Sequence, residues 1–361
     1  MGRKALIGRQ MIIIILILVE ILLIWLLIHR EKPVTAVDWL GAYATETDVF
    51  RSMDFGDGVL EQAFEMAEEW DEDVYSILAV QMIYEAIAVN KGSSATVSGE
   101  SVPNAPSTKG SSDKQYNTKK QSNAEKLLPS YREYKTMVEQ LQSEKPVEWT
   151  KLVNGFRTIL ADIRYFPVAS DSETGLSGLS YENGWGDART YGGDRLHEGT
   201  DIMDNANVRG SYPIVSISEG VIEHIGWLEQ GGYRIGIRSP HGAYFYYAHL
   251  SHYAENFVIG QQVSAGQIIG FMGDTGYSTV EGTVGNFPVH LHMGIYLETD
   301  HYDELSVNPY YILKYLENHT VSYAKETYLW YSFSERSADR GWRYNYGENY
   351  WYPMNLLCRS W

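Results

Sequence analysis

"FPVHLHMGIY", residues 287–296, sets His290 and His292 one residue apart in an otherwise apolar run. At the two-residue period of a β-strand both histidines project from one face, while Val289, Leu291 and Met293 point to the other. Two imidazoles side by side on a buried face are costly without hydrogen-bond partners. Either they are two satisfied core histidines or they share a metal ion. Around them, short β-type runs alternate with Gly-rich turns from Phe166 onward: "YPIVSISEGVIEHIGW" (212–227), "YRIGIRS" (233–239), "AYFYYAHLS" (243–251) and "QIIGFMGDTG" (267–276). Such spacing predicts an all-β domain, sandwich or barrel-like, over residues 166–319. It closes on a terminal helix near "NPYYILKYLE" (308–317).

A second motif, "HEGTD" (197–201), offers His197 and Asp201 four residues apart. On a helix they would share a face, but Gly199 and the following "NANVRGSYP" favour a strand or loop. Such a pair alone is commonplace. With one histidine of the 290/292 pair it becomes a set of two nitrogens and one carboxylate oxygen. That is the composition of catalytic zinc sites, where three protein ligands leave a position open. The other histidine of the pair, and His249 in "YYAHLS", are then free for acid–base work.

The rest of the chain narrows the class. Of 361 residues, 44% are hydrophobic, enough for a sizeable core, and the formal net charge of −17 argues against nucleic acid as a partner. Between Asp38 and Asn90 thirteen Asp or Glu face the single Arg51. These form a solvated helix surface or an acidic patch for a regulatory protein partner. The only cysteine, Cys358, leaves no intrachain disulfide, thiol catalysis or Cys-rich zinc site. "EGTVGN" and "GDTG" lack the β–α context of a phosphate loop, and the "VSAGQIIGFMGD" hairpin lacks a lysine to carry a lipoyl group. His224, His241, His252, His301 and His319 match no motif and read as surface or structural.

Residues 11–28, "MIIIILILVEILLIWLLI", are apolar except for Glu20 and approach the ~20 residues that span a bilayer. No small-residue cleavage site follows, so the run reads as an uncleaved signal anchor. Arg3, Lys4 and Arg9 precede it, which favours residues 1–10 inside and the remainder outside the cell membrane, single-pass. Residues 33–165 read as an extracytoplasmic helical region with a break at Pro146. It is interrupted by a Ser/Gly/Asn/Lys-rich loop, 91–123, too polar to bury a core. The tail, 320–361, is rich in Trp and Tyr with no period.

Taken in order, "HEGTDIMD", "YPIVSISEGVIEHIGW", "GGYRIGIRSPHGAYFYYAHLS", "VIGQQVSAGQIIGFMGDTG" and "VHLHMGIY" resemble the lysostaphin-type (LytM-like, M23) zinc peptidases over about residues 185–315. The resemblance implies a small antiparallel β domain with one Zn2+ in a groove, held by His197, Asp201 and His292. It implies that His290 and His249 are the two catalytic histidines that do not bind metal. The implied substrate is a peptide in bacterial cell-wall peptidoglycan, cleaved by a zinc-activated water. "VRGS" before Tyr212 and "YSTVEGTVGNFP" before His290 depart from the pattern and enlarge loops expected to border the groove. The rival reading is a non-catalytic scaffold of this fold in a cell-envelope or sporulation complex, for which the anchor and the acidic helical region speak.

Overall fold

The computed structural model describes residues 35–41, 44–92, 129–191 and 193–323, with short pieces at 19–20, 342–345 and 350–353. Apart from these pieces and the last two residues of the preceding helix, the run 11–28, the loop 91–123 and the tail beyond residue 323 lie outside the described residues. Among the described residues no helix is long and apolar enough to cross a membrane.

Short helical turns α1 (Ala36–Trp39) and α2 (Asp48–Arg51) lead into α3 (Val59–Trp70) and α4 (Val74–Gly92). Seven consecutive residues of α4, Ile77–Ile83, are buried, all but Gln81 apolar, so this helix is enclosed on every side and serves as the centre of the helical layer. Helix α5 (Tyr131–Glu144) opens on a capping box, Ser130 with Glu133, and stops at Lys145 because Pro146 occupies the first position of α6 (Pro146–Leu160). Phe50 and Phe55 pack on Phe156 of α6, and Phe64 of α3 stacks on Tyr315 of the final helix α7 (Tyr310–Leu316). One hydrophobic cluster runs from Ala36 to Tyr323 without a break. The two textures of the sequence therefore share a single core.

The strands are β1 (Ser170–Asp171), β2 (Leu179–Ser180), β3 (Ala188–Arg189), β4 (Arg195–Leu196), β5 (Thr200–Asp204), β6 (Pro213–Val215) and β7 (Gly220–Leu228). They continue as β8 (Gly232–Arg238), β9 (Tyr244–Leu250), β10 (His252–Tyr253), β11 (Gln262–Val263), β12 (Ile268–Phe271), β13 (His290–Leu297) and β14 (Leu305–Val307). Eight of them form one antiparallel sheet in the order β11-β7-β8-β9-β13-β5-β2, with β14 also paired to β13. A smaller sheet, β10-β12-β6, packs beside it, and β3 with β4 makes a separate hairpin. The expected antiparallel β domain is present, preceded by helices.

Alternation divides the large sheet into two faces. Ile235, Ile237, Phe245, Tyr247, Leu291, Met293 and Ile295 enter the core. Arg234, Tyr244, Tyr246, His290, His292 and Tyr296 line a groove on the opposite face. The tyrosines lie down over this face because glycine makes room for them. A methyl group on Gly236 would sit 1.8 Å from the Tyr244 hydroxyl oxygen.

The junction between the helices and the sheet carries a buried carboxylate. Asp162, just after α6, accepts hydrogen bonds from the His241 backbone N–H (2.7 Å) and from His241 Nδ1 (2.8 Å). Burial works to raise its pKa, but the bonds from His241 outweigh that and hold it below the ordinary carboxylate value. A depressed folded pKa means that the stabilisation is present above the unfolded carboxylate pKa and is lost as pH falls through the folded one. Replacing Asp162 with asparagine is expected to cost about 1–2 kcal/mol at pH 7. It should also flatten the loss of stability below roughly pH 4, where unfolded aspartate titrates. Urea unfolding curves at pH 3, 4 and 7 check both parts.

Candidate active site

The groove, about 370 Å³ in volume, is built around β13. In the sheet register His292 stands directly opposite Asp201 of β5 on one side and Ala248 of β9 on the other. Directly paired residues in an antiparallel sheet have Cβ atoms about 5 Å apart on the same face, so strand pairing alone brings His292 and Asp201 into contact. His197 enters from the loop just before β5. Its Nδ1–H donates to the Gly184 carbonyl at 2.9 Å, which fixes the tautomer and leaves the Nε2 lone pair facing the groove.

Three atoms then converge. His197 Nε2, Asp201 Oδ1 and His292 Nδ1 form a triangle with every side 3.0 Å. Bonds of about 2.0–2.1 Å in a tetrahedron place neighbouring ligand atoms roughly 3.3 Å apart, so the triangle is close to one face of a zinc coordination shell. The donor set of two imidazole nitrogens and one carboxylate oxygen suits the same ion, and it is the one such His/Asp/Glu/Cys group among the described residues. Burial opposes ionisation of Asp201, but its close contacts with the ring nitrogens of His197 and His292 outweigh that and hold the carboxyl far below its usual range. Burial also pushes His292 below the ordinary histidine value. An anionic carboxylate beside neutral imidazoles is the protonation state that metal binding requires. The second Asp201 oxygen accepts from Arg189 Nη2 at 2.8 Å.

His290, two residues before His292, projects from the same face, with Nε2 3.7 Å from Asp201 Oδ1. Its Nδ1 donates to the Pro288 carbonyl at 2.7 Å. His249 comes from β9 by a less regular route. Tyr244, Tyr246 and Ala248 face the groove, so alternation would send His249 into the core. Instead its backbone adopts a left-handed φ of 63°. The register between β8 and β9 shifts at this point, which marks a β-bulge. The bulge turns His249 back to the groove side, where its ring centroid lies 4.7 Å from that of His290. A non-glycine residue in this region costs on the order of 1–3 kcal/mol, and the His249 N–H bond to Gly231 (2.7 Å) holds it there. His249 Nδ1 donates to the Thr275 carbonyl at 2.8 Å. Both rings thus present Nε2 to the groove, and burial lowers the pKa of both, keeping them neutral with the Nε2 lone pair free.

The structure therefore brings together all five residues singled out in the sequence. Of the enlarged loops, 277–288 borders the groove: Tyr277 lines it and packs edge-on to His249, with Phe287 behind. "VRGS" instead braces the base of that loop, through Arg209 Nη2 to Asp274 Oδ2 at 2.9 Å. Reasoning from sequence missed Arg189, Arg195, Glu198, Arg234, Tyr246, Tyr296 and Glu304 in the groove lining. Period-two alternation through "YFYYAHL" and "HLHMGIY" was the signal for the tyrosines, whereas nothing local marks the arginines. His224 also lines the groove, its Nδ1 2.9 Å from the Tyr244 hydroxyl.

Gly199 in the middle of "HEGTD" has a steric role. A Cβ there would lie 2.5 Å from the Met293 carbonyl oxygen and 2.7 Å from His292 Cε1. Gly199→Ala is expected to destabilise the fold by about 1–3 kcal/mol and to displace the His292 ring. Denaturant unfolding and a zinc titration would read the two effects separately.

The model of peptidase family M23 matches residues 195–309. Over 163 residues the chain is 44% identical to the L-Ala–D-Glu endopeptidase of Bacillus subtilis (strain 168), covering 45% of this chain and 47% of that protein. It is 42% identical over 86 residues to lysostaphin from Staphylococcus simulans, covering 23% of this chain and 16% of that protein. The chain thus spans about half the length, or less, of these curated relatives. The crystal structure of lytM from Ruminococcus gnavus ATCC 29149 aligns with a TM-score of 0.61 at 30% identity, over 81% of this chain and 99% of that one. Such coverage exceeds what the β domain can supply, so the shared architecture takes in much of the helical layer. A match that accounts for nearly the whole of a relative at this identity places the chain in peptidase family M23.

Proposed function

We propose that this chain is a zinc-dependent endopeptidase acting on the peptides of bacterial cell-wall peptidoglycan. The observation that carries the reading is the 3.0 Å triangle of His197 Nε2, Asp201 Oδ1 and His292 Nδ1. These three residues would hold one Zn2+. When bound, the ion supplies Lewis acidity to a water and to the scissile carbonyl. The remaining work falls to the chain's own groups. His290 and His249 carry lone pairs on Nε2, positioned to take a proton from the attacking water and return it to the leaving amine. A protonated Nε2 on either ring would also donate to the oxyanion that develops on the carbonyl. Tyr246 and Tyr296 wall the groove with phenols that burial keeps protonated, so they act as donors.

The same reading places residues 11–28 as a membrane anchor, with the catalytic domain outside the cell. The scaffold alternative draws on the acidic helical region, yet none of the groove-lining residues comes from positions 35–160. The test is direct. Purified protein is incubated with zinc and isolated peptidoglycan, and newly released amino groups are counted. No release above a metal-free control would overturn the enzyme reading.

A further inference from the structure

Arg234 lies in the groove without a partner. It occupies β8 where the register shifts: Tyr233 pairs with Leu250 and Ile235 with Tyr247, so Ala248 and His249 together face the single position of Arg234. His292 is opposite Ala248 on the far side of β9. Two strand spacings, about 10 Å, therefore separate the backbones of Arg234 and His292, a distance that one extended arginine side chain largely bridges.

The other arginines near this face are committed. Arg189 Nη2 holds Asp201, Arg195 Nη2 donates to the Tyr277 hydroxyl (3.3 Å), and Arg238 pairs with Glu223 at 2.9 Å. Arg234 Nη1 is buried and has no hydrogen-bond partner, and no carboxylate among the described residues pairs with it. Glu304 lines the same groove and acts on the same tyrosines, Tyr244 and Tyr246, yet forms no ion pair with Arg234. Arg234 is half-buried, and a guanidinium nitrogen that is buried without a hydrogen-bond partner is costly to leave unsatisfied. Its planar fork matches a carboxylate in bidentate geometry better than any neutral group.

We propose that Arg234 is a specificity residue that receives a carboxylate of the substrate peptide, next to the bond being cleaved. It makes the groove selective for acidic stem peptides over neutral glycine bridges. This rests on the peptidase reading above and adds a substrate class to it.

The test uses two stem peptides, one containing L-Ala–D-Glu with its free carboxylate and one with that carboxyl converted to the amide. Each is offered to the zinc-loaded wild type, Arg234→Ala and Arg234→Lys. The wild type should favour the acidic peptide by about tenfold to hundredfold in kcat/KM, chiefly through KM, as expected for a charge-assisted hydrogen bond. Arg234→Ala should erase that preference, with kcat/KM falling far more on the acidic than on the amidated peptide, and Arg234→Lys should restore part of it. A wild type indifferent to the carboxylate, or an alanine variant equally impaired on both peptides, would overturn the assignment. If neither peptide is hydrolysed, the peptidase reading fails, and calorimetric binding of both peptides to the zinc-loaded protein decides about Arg234. A preference for the acid that vanishes in Arg234→Ala upholds the anion site, and equal binding refutes it.

Discussion

Replacing His292 with alanine is expected to abolish peptide hydrolysis and zinc-dependent stabilisation together. The His292 Nδ1 atom is one corner of a triangle whose sides are all 3.0 Å, and those three residues are the one such cluster among the described residues. With two ligands left, the site loses the geometry that holds zinc. Metal-ion catalysis is worth several kcal/mol of transition-state stabilisation, and each 1.36 kcal/mol is a factor of ten. Activity should therefore fall on the order of 10³-fold or more. Binding to the folded state alone stabilises by about 2.7 kcal/mol at a hundredfold excess of ligand over Kd, so the wild type should melt at a higher temperature when zinc is added. His292→Ala should show little of that rise. A variant that kept both the activity and the zinc-dependent shift would show that the triangle is not a metal site.

His290→Ala and His249→Ala are expected to behave differently, losing activity while keeping the metal. Neither ring belongs to the triangle, and both have Nδ1 committed to a backbone carbonyl, Pro288 for His290 and Thr275 for His249. Loss of one positioned acid–base group typically lowers kcat about 10²–10⁴-fold. Because the two rings stand 4.7 Å apart over one groove, the double variant should be much less than multiplicatively worse than either single one. The zinc-dependent rise in melting temperature should persist in all three. If that rise disappeared, the residue would be a ligand rather than a proton carrier. If kcat stayed within a few-fold of wild type, the acid–base role would be wrong.

These two expectations depend on different kinds of information. The pairing of His290 with His292 is a property of strand period and is legible in "HLH" itself. The meeting of His292 with Asp201 follows from register, and register is set by which apolar residues face the core: a slip of one residue would turn Leu291 and Met293 outward. The resemblance of five ordered motifs implies that pairing without the sheet. The place of His249 was not readable from period, since alternation points it inward. Only the bulge opposite Arg234 and the left-handed φ of 63° bring it to the groove. The helical layer shows a similar limit. Spacing marks α3 and α4, and Pro146 marks the start of α6, but nothing local shows that Phe50, Phe156 and the sheet share one core.

By itself, then, the sequence determined what its short-range periods encode: a β-rich domain after a helical region, a two-histidine strand, and a His/Asp pair chemically suited to zinc. Tertiary structure decided what depends on contacts across long stretches of chain. It closed the three-atom triangle between residues 197 and 292, turned His249 against its own strand, and left the Arg234 guanidinium facing the groove without a carboxylate. The physical reason is that a side chain's identity and period are local, whereas its partner is chosen by how the whole core packs.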